Sequence, residues 1–77
     1  MGDMPMTYQA LEFKTNDEGG TATEQRYSGI DKSMAERTYH LILADAATSG
    51  RPMHGAQLTQ GDGKPLEWKA YYKEATE

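Results

Sequence analysis

The chain contains no cysteine at all, and its 77 residues include only one Trp, one Phe and three Pro. The lack of cysteine excludes disulfide bonds, thiolate metal ligands and a cysteine nucleophile. It also suits a reducing, cytoplasmic compartment. A chain this short forms one domain with a modest core, so we expect that association with a second copy would help to stabilise it.

Long runs of apolar or like-charged residues are also missing. The chain has 8 Lys+Arg against 12 Asp+Glu, scattered along its length, so there is no basic footprint for nucleic acid and nucleic acid is not the expected partner. No apolar run is long enough to cross a bilayer, and the first residues lack the features of a signal peptide, so no membrane association is expected. We expect a disordered leader at 1–6, one domain at 7–73 and a disordered tail at 74–77.

One amphipathic helix stands out, over residues 33–49. Ser33 followed by Glu36 forms a capping-box pattern, although Asp31 is an alternative cap. Gly50 is expected to end the helix in a left-handed conformation, and Pro52 prevents its resumption. The residues that fall on one stripe of this helix, and are expected to face the core, are Ala35, Tyr39, Ile42, Leu43 and Ala46.

Two pairs of strand-like segments flank the helix. Residues 7–14 and 21–27 surround a polar turn at 16–20, and the second of them is polar enough for a sheet edge. Residues 53–60 and 65–73 surround Gly61-Asp62-Gly63, a three-residue loop with a left-handed glycine. The pattern predicts an α+β fold, a single ββαββ domain in which one helix packs on one face of an antiparallel four-stranded sheet.

The loop length predicts the register of the second hairpin. It pairs Leu58 with Leu66, Ala56 with Trp68 and His54 with Ala70, which brings apolar groups together. The residues then expected to face the helix are Leu66, Trp68, Ala70 and Tyr72. Those expected to face solvent, beside Gln57 and Thr59, are Glu67, Lys69, Tyr71 and Lys73.

Chemistry-bearing motifs are scarce. His40 and His54 are the only histidines and lack the spacing of a metal site. No serine lies in a recognisable nucleophile turn, and the glycine pairs do not precede helix starts as phosphate-binding loops do. The sequence therefore predicts a protein that is not an enzyme and has no cofactor and no metal.

The remaining residues favour binding. Tyr71 between two lysines, on the strand face expected to be exposed, is a candidate contact for a partner protein; the predicted partner-binding residues are Gln57, Glu67, Lys69 and Tyr71. Met34 and Leu41 lie off the core stripe, so they either widen the core face or form a homodimer interface. A second interpretation is a cleft of a dimer that holds an anionic nucleotide between Lys69, Tyr71, Arg51 and His54, with His40 as a further candidate.

A resemblance adds a biological setting. The string Ala35-Glu36-x-x-Tyr39-His40-x-x-Leu43-Ala44, followed by a strand pair that ends in Tyr71-Tyr72-Lys73, resembles small uncharacterised proteins encoded by bacteriophages and prophages. The resemblance covers residues 32–73. It implies an accessory protein that acts in the host cytoplasm by stoichiometric binding of a host protein, as inhibitors of host defences such as anti-CRISPR proteins do. The same resemblance allows two alternatives, an oligomeric sponge for a nucleotide signal and a virion or assembly accessory protein.

Overall fold

The computed structural model describes residues 6–73, so most of the expected leader and the whole of the expected tail lie outside the described residues. The elements are β1 (Tyr8–Thr15), β2 (Thr21–Gly29), α1 (Lys32–Ala47), β3 (Met53–Gln60) and β4 (Pro65–Tyr72). The predicted ββαββ order, with one antiparallel sheet and one helix packed on it, is confirmed.

The strands lie in the order β2-β1-β3-β4, and each neighbouring pair is antiparallel. The polar strand β2 forms one edge, as its composition predicts, and β4 forms the other. Because β1 lies between them, β2 and β3 run in the same direction and are joined by a crossover that contains α1. This connection lays the helix across one face of the sheet and leaves the opposite face without a helix.

Both hairpin turns use a glycine at positive φ, Gly19 at 87° and Gly63 at 95°. The expected left-handed glycine of the second loop is therefore Gly63, where the Gln60 N–H donates to the Lys64 carbonyl at 2.8 Å. Gly50 is not left-handed, so that prediction is wrong. The helix instead ends in a tightened turn, in which the N–H of Thr48 donates to Asp45 and that of Ser49 to Ala46.

Asp31, not Ser33, caps the helix N-terminus. Its backbone is extended, and its Oδ1 accepts a hydrogen bond from the Met34 N–H at 3.2 Å. Ser33 already lies inside the first turn, because α1 begins at Lys32. Of the two candidate caps, the one two residues earlier is used, and it satisfies an N–H that the helix leaves free.

The core lies between α1 and the two central strands. On the helix side, the predicted stripe is confirmed: Ala35, Tyr39, Ile42 and Ala46 are buried, and the half-buried Leu43 packs at the margin. On the sheet side the buried apolar residues are Ala10, Ala56 and Leu58. Alanines on both sides let the helix lie close to the sheet, but they also keep the buried apolar volume small.

The predicted register of β4 is wrong by one residue. Leu58 pairs with Glu67, Ala56 with Lys69 and His54 with Tyr71. A bulge beside Leu58 takes up Leu66 as an extra residue, so Leu66 still packs against the core. A one-residue slip moves every later side chain to the other face. Trp68, Ala70 and Tyr72 therefore point away from the helix, whereas Glu67, Lys69 and Tyr71 lie on its side.

Replacing the observed cap should destabilise the protein. We expect Asp31→Ala to lower the free energy of unfolding by about 1 kcal/mol, because the Met34 N–H loses its acceptor. Ser33→Ala is the matched control and should change it by less than about 0.5 kcal/mol. Urea unfolding followed by circular dichroism measures both, and the opposite ranking would assign the cap to Ser33.

Tyr39 makes stability depend on alkaline pH. Burial raises the pKa of the Tyr39 phenol above its usual value of 10.0, and the negative charge of Glu67 adds to this effect. The unfolded chain therefore ionises Tyr39 at a lower pH than the folded chain does. The resulting stabilisation is complete below about pH 10 and is lost as the pH rises through the folded pKa.

Tyr39→Phe removes this group, so the stability of the parent relative to Tyr39→Phe should fall between pH 8 and pH 11. Urea midpoints of both proteins at a series of pH values measure the difference. A difference that stays constant over this range would contradict the expectation.

Candidate functional site

The sheet face opposite the helix, called here the open face, carries large apolar side chains. Strand alternation and register place the odd-numbered residues of β1 and β3 on this face, together with Trp68, Ala70 and Tyr72 from β4. Trp68 and Tyr72 are 62% and 71% exposed. The apolar residues of the open face are Leu11, Phe13, Met53, Trp68, Ala70 and Tyr72.

The open face has no charged strand residue among those that the structure describes. Its other side chains belong to neutral threonines, glutamines and a serine. One of the glutamines is Gln57, whose Nε2 donates to Thr59 Oγ1 at 2.8 Å. Every charged or histidine side chain of the four strands belongs to the helix side, by register or by contact. These residues are Glu12, Lys14, Glu24, Arg26, His54, Glu67 and Lys69.

Gly55 makes the centre of the open face flat. It lies on β3 between Phe13 of β1 and Ala70 of β4. A Cβ atom at this position would come within 2.7 Å of the Ala70 Cα, closer than real Cβ contacts allow. Glycine is therefore required here, because β4 approaches the backbone of β3 too closely for a side chain.

A second apolar surface lies on the outer flank of α1. Met34 and Leu41 are 41% and 56% exposed, and their spacing of seven places both on one side of the helix. Arg37 is exposed between them, and Asp45 follows one turn after Leu41. This group, called here the helix ridge, comprises Met34, Arg37, Leu41 and Asp45. Met34 and Leu41 therefore do not widen the core, and their predicted role in self-association stays a prediction.

A buried carboxylate–imidazole pair, formed by Glu12 and His54, lies on the helix side of the sheet. His54 Nε2 and Glu12 Oε2 are 2.7 Å apart and both residues are buried. The other carboxylate oxygen is 3.5 Å from Arg26 Nη1, which also contacts Glu24 at 2.6 Å. The carboxylate of Glu12 thus lies between two donors, which offsets the cost of burying it. His54 Nδ1 has no partner among the described residues.

The residues predicted to bind a partner do not share a face. Gln57 lies on the open face, whereas Glu67, Lys69 and Tyr71 lie on the helix side, because the register differs by one residue. The prediction that the four form one solvent-facing surface is therefore wrong. Lys69 Nζ lies 4.9 Å from the centroid of the Tyr71 ring, so the ammonium occupies the ring face on which a base would stack.

The candidate ligand-cleft residues are engaged separately. His54 is buried against Glu12, and the guanidinium of Arg51 donates to the Thr15 carbonyl. His40 is exposed on the helix and meets Tyr39 edge to face, with ring centroids 5.3 Å apart. No ligand-sized cavity lies within residues 6–73. The structure therefore gives these side chains separate local partners within one copy, and a cleft between two copies stays a prediction.

Within the same residues, no group of three His, Asp or Glu side chains is arranged to hold a metal ion. No helix of the described part is long and apolar enough to cross a membrane. No protein-family model, curated protein or solved structure matches the chain. The resemblance to phage-encoded proteins is not tested by these comparisons and stays an expectation.

Sequence reasoning missed the open face as a candidate site. It assigned Trp68 and Tyr72 to the core because they are the more apolar of the two alternating sets of β4. One indication was present, since Leu11 and Phe13 alternate with Ala10 and Glu12, so that β1 carries apolar residues toward both faces. A strand with two apolar faces is typical of a sheet covered on both sides.

The Glu12–His54 contact should appear as a coupling energy. Glu12→Ala leaves a buried imidazole without a partner, and His54→Ala leaves a buried carboxylate with only Arg26, so each should cost about 1–3 kcal/mol. The double variant should lose at least about 0.5 kcal/mol less than the sum of the two single losses. Urea unfolding of the four proteins measures this difference, and strictly additive losses would show that the contact contributes nothing.

Proposed function

We propose that this chain is a small non-enzymatic binding protein that acts by stoichiometric occupation of another protein. The observation that carries the proposal is that the apolar side chains of Met34 and Leu41 are exposed to solvent on the helix ridge. The described residues, by contrast, form no ligand-sized cavity. Exposed apolar residues that folding does not require are typical of a surface that a partner covers.

The chemistry of the helix ridge suits a partner that differs from the chain itself. Its two apolar side chains project from a convex helix at a spacing of seven, as anchors do that enter a groove on another protein. Arg37 lies between them and Asp45 beside them, so the ridge carries both signs of charge. Charged groups around apolar anchors select one partner over another, because a mismatched charge is costly to bury.

The setting of the proposal comes from the phage-type resemblance. It favours a host protein as the partner, in the host cytoplasm, and inhibition of a host defence as the outcome of its capture. A virion or assembly role involves the same kind of binding with a different partner. The nucleotide-sponge alternative gains no support from the geometry, because Arg51, His40 and His54 have separate local partners.

Capture from a lysate of the bacterial host tests the proposal. Tagged protein should retain one host protein in near-equal molar amount, and Leu41→Glu should reduce its retention at least about tenfold, because a carboxylate would enter an apolar groove. His40→Glu is the matched control: it introduces the same charge at the neighbouring exposed position, on the other flank of the helix, and should leave retention unchanged.

Retention that is equal for the parent and Leu41→Glu would refute the assignment to the helix ridge. A lysate in which no protein is retained in stoichiometric amount would refute the proposed function itself. Identification of the retained protein separates the two settings, since a defence protein supports inhibition and a virion component supports the accessory role.

A further inference from the structure

We propose that the open face is covered by the same face of a second copy, so that two copies form a face-to-face β-sandwich dimer. Among the described residues, the buried core of one copy contains three apolar side chains larger than alanine, those of Tyr39, Ile42 and Leu58. The open face carries at least as much apolar volume outside that core, in Leu11, Phe13, Met53, Trp68 and Tyr72. Stacking two such faces about 10 Å apart would create a second apolar core between the copies.

The distribution of charge favours a second copy over a charged partner. The chain has a net charge of −4, so two copies repel each other over most of their surfaces. The open face is free of charged strand residues within residues 6–73, because all of them belong to the helix side. Two open faces can therefore meet without burying a charge or opposing two like charges, which a symmetric interface would otherwise do.

The area of the open face is sufficient for a specific dimer. Four strands of eight or nine residues span about 19 Å by 26 Å at usual strand spacings, which is about 500 Å² per copy. Two copies would bury about 1,000 Å², which is the lower limit for a specific interface. The side chains of Phe13 and Trp68 project from the sheet and add to the buried area. The helix ridge, formed by one flank of one helix, is much narrower.

The polar groups of the open face do not prevent its burial. Gln57, near the middle of the face, already donates to Thr59, so part of its hydrogen-bonding capacity is satisfied within one copy. The central Gly55 has no side chain and allows close approach of an opposing sheet. The open-face residues of β2, which are Thr21, Thr23, Gln25 and Ser28, would form the polar rim that such interfaces have.

Analytical ultracentrifugation with a matched pair of substitutions tests the proposal. The parent should shift from monomer to dimer with rising concentration. Leu11→Glu should weaken this association at least about 100-fold, because the symmetric interface would bury two unpaired carboxylates. Leu41→Glu makes the same chemical change on the helix ridge and should leave the dimer intact. Tyr72→Glu changes a side chain that is 71% exposed, so it should dissociate the dimer without a cost to folding.

Trp68 supplies an independent readout, because it is the only tryptophan of the chain and lies on the open face. Its emission should shift to shorter wavelength over the same concentration range as dimer formation, and Tyr72→Glu should abolish the shift. Added salt should leave the dimer unchanged or tighten it, since screening reduces the repulsion between two copies of charge −4.

Three results would overturn the proposal. The first is a parent that stays monomeric at all concentrations with the emission of a solvent-exposed indole. The second is a dimer that Leu41→Glu dissociates and that Leu11→Glu and Tyr72→Glu do not, which would place the interface on the helix ridge. The third is a monomer whose capture of a host protein depends on Leu11, which would assign the open face to that partner. The proposed function is tested separately, by the effect of Leu41→Glu on the retention of a host protein.

Discussion

A single helix covers only one face of a four-stranded sheet, and most other features of this protein follow from that constraint. An α-helix with its side chains is about 10 Å wide, whereas four strands span about 19 Å. The helix therefore buries Ala10, Ala56 and Leu58 of the two central strands. Charged side chains such as Glu24 and Lys69 reach water on either side of it. Within residues 6–73, no element packs on the opposite face of the sheet.

The same constraint limits stability. Each fully buried large apolar side chain contributes about 1.5–3 kcal/mol, and the described residues of one copy bury three of them, Tyr39, Ile42 and Leu58. Part of the buried space on the helix side of the sheet is taken by the Glu12–His54 pair, which adds little over an apolar pair of similar volume. Binding of a second copy to the open face would stabilise the folded chain by mass action. A small core and an apolar open face are thus two aspects of one arrangement.

The two exposed apolar surfaces differ in chemistry, and the difference separates their proposed roles. The open face is flat and without charged strand residues in the described part, so it matches its own copy better than a partner chosen by charge. The helix ridge is convex, and its apolar anchors Met34 and Leu41 lie beside Arg37 and Asp45. Because the surfaces lie on opposite sides of the sheet, a dimer formed through one leaves the other available on both copies.

Local sequence signals are enough to locate the helix and strands, because turn residues and the hydrophobic period act over a few residues. All five elements, the edge position of β2 and a left-handed glycine in the loop at 61–63 could be predicted in this way. Which side chains of β4 face the helix depends instead on contacts that are distant in the sequence. Its bulge at Leu66 depends on pairing with β3. Its charged residues Glu67 and Lys69 are accommodated on the helix side because they stay exposed there, on the edge strand of the sheet. This register places the predicted partner-binding residues on two different faces of the sheet, and it places Trp68 and Tyr72 on the open face.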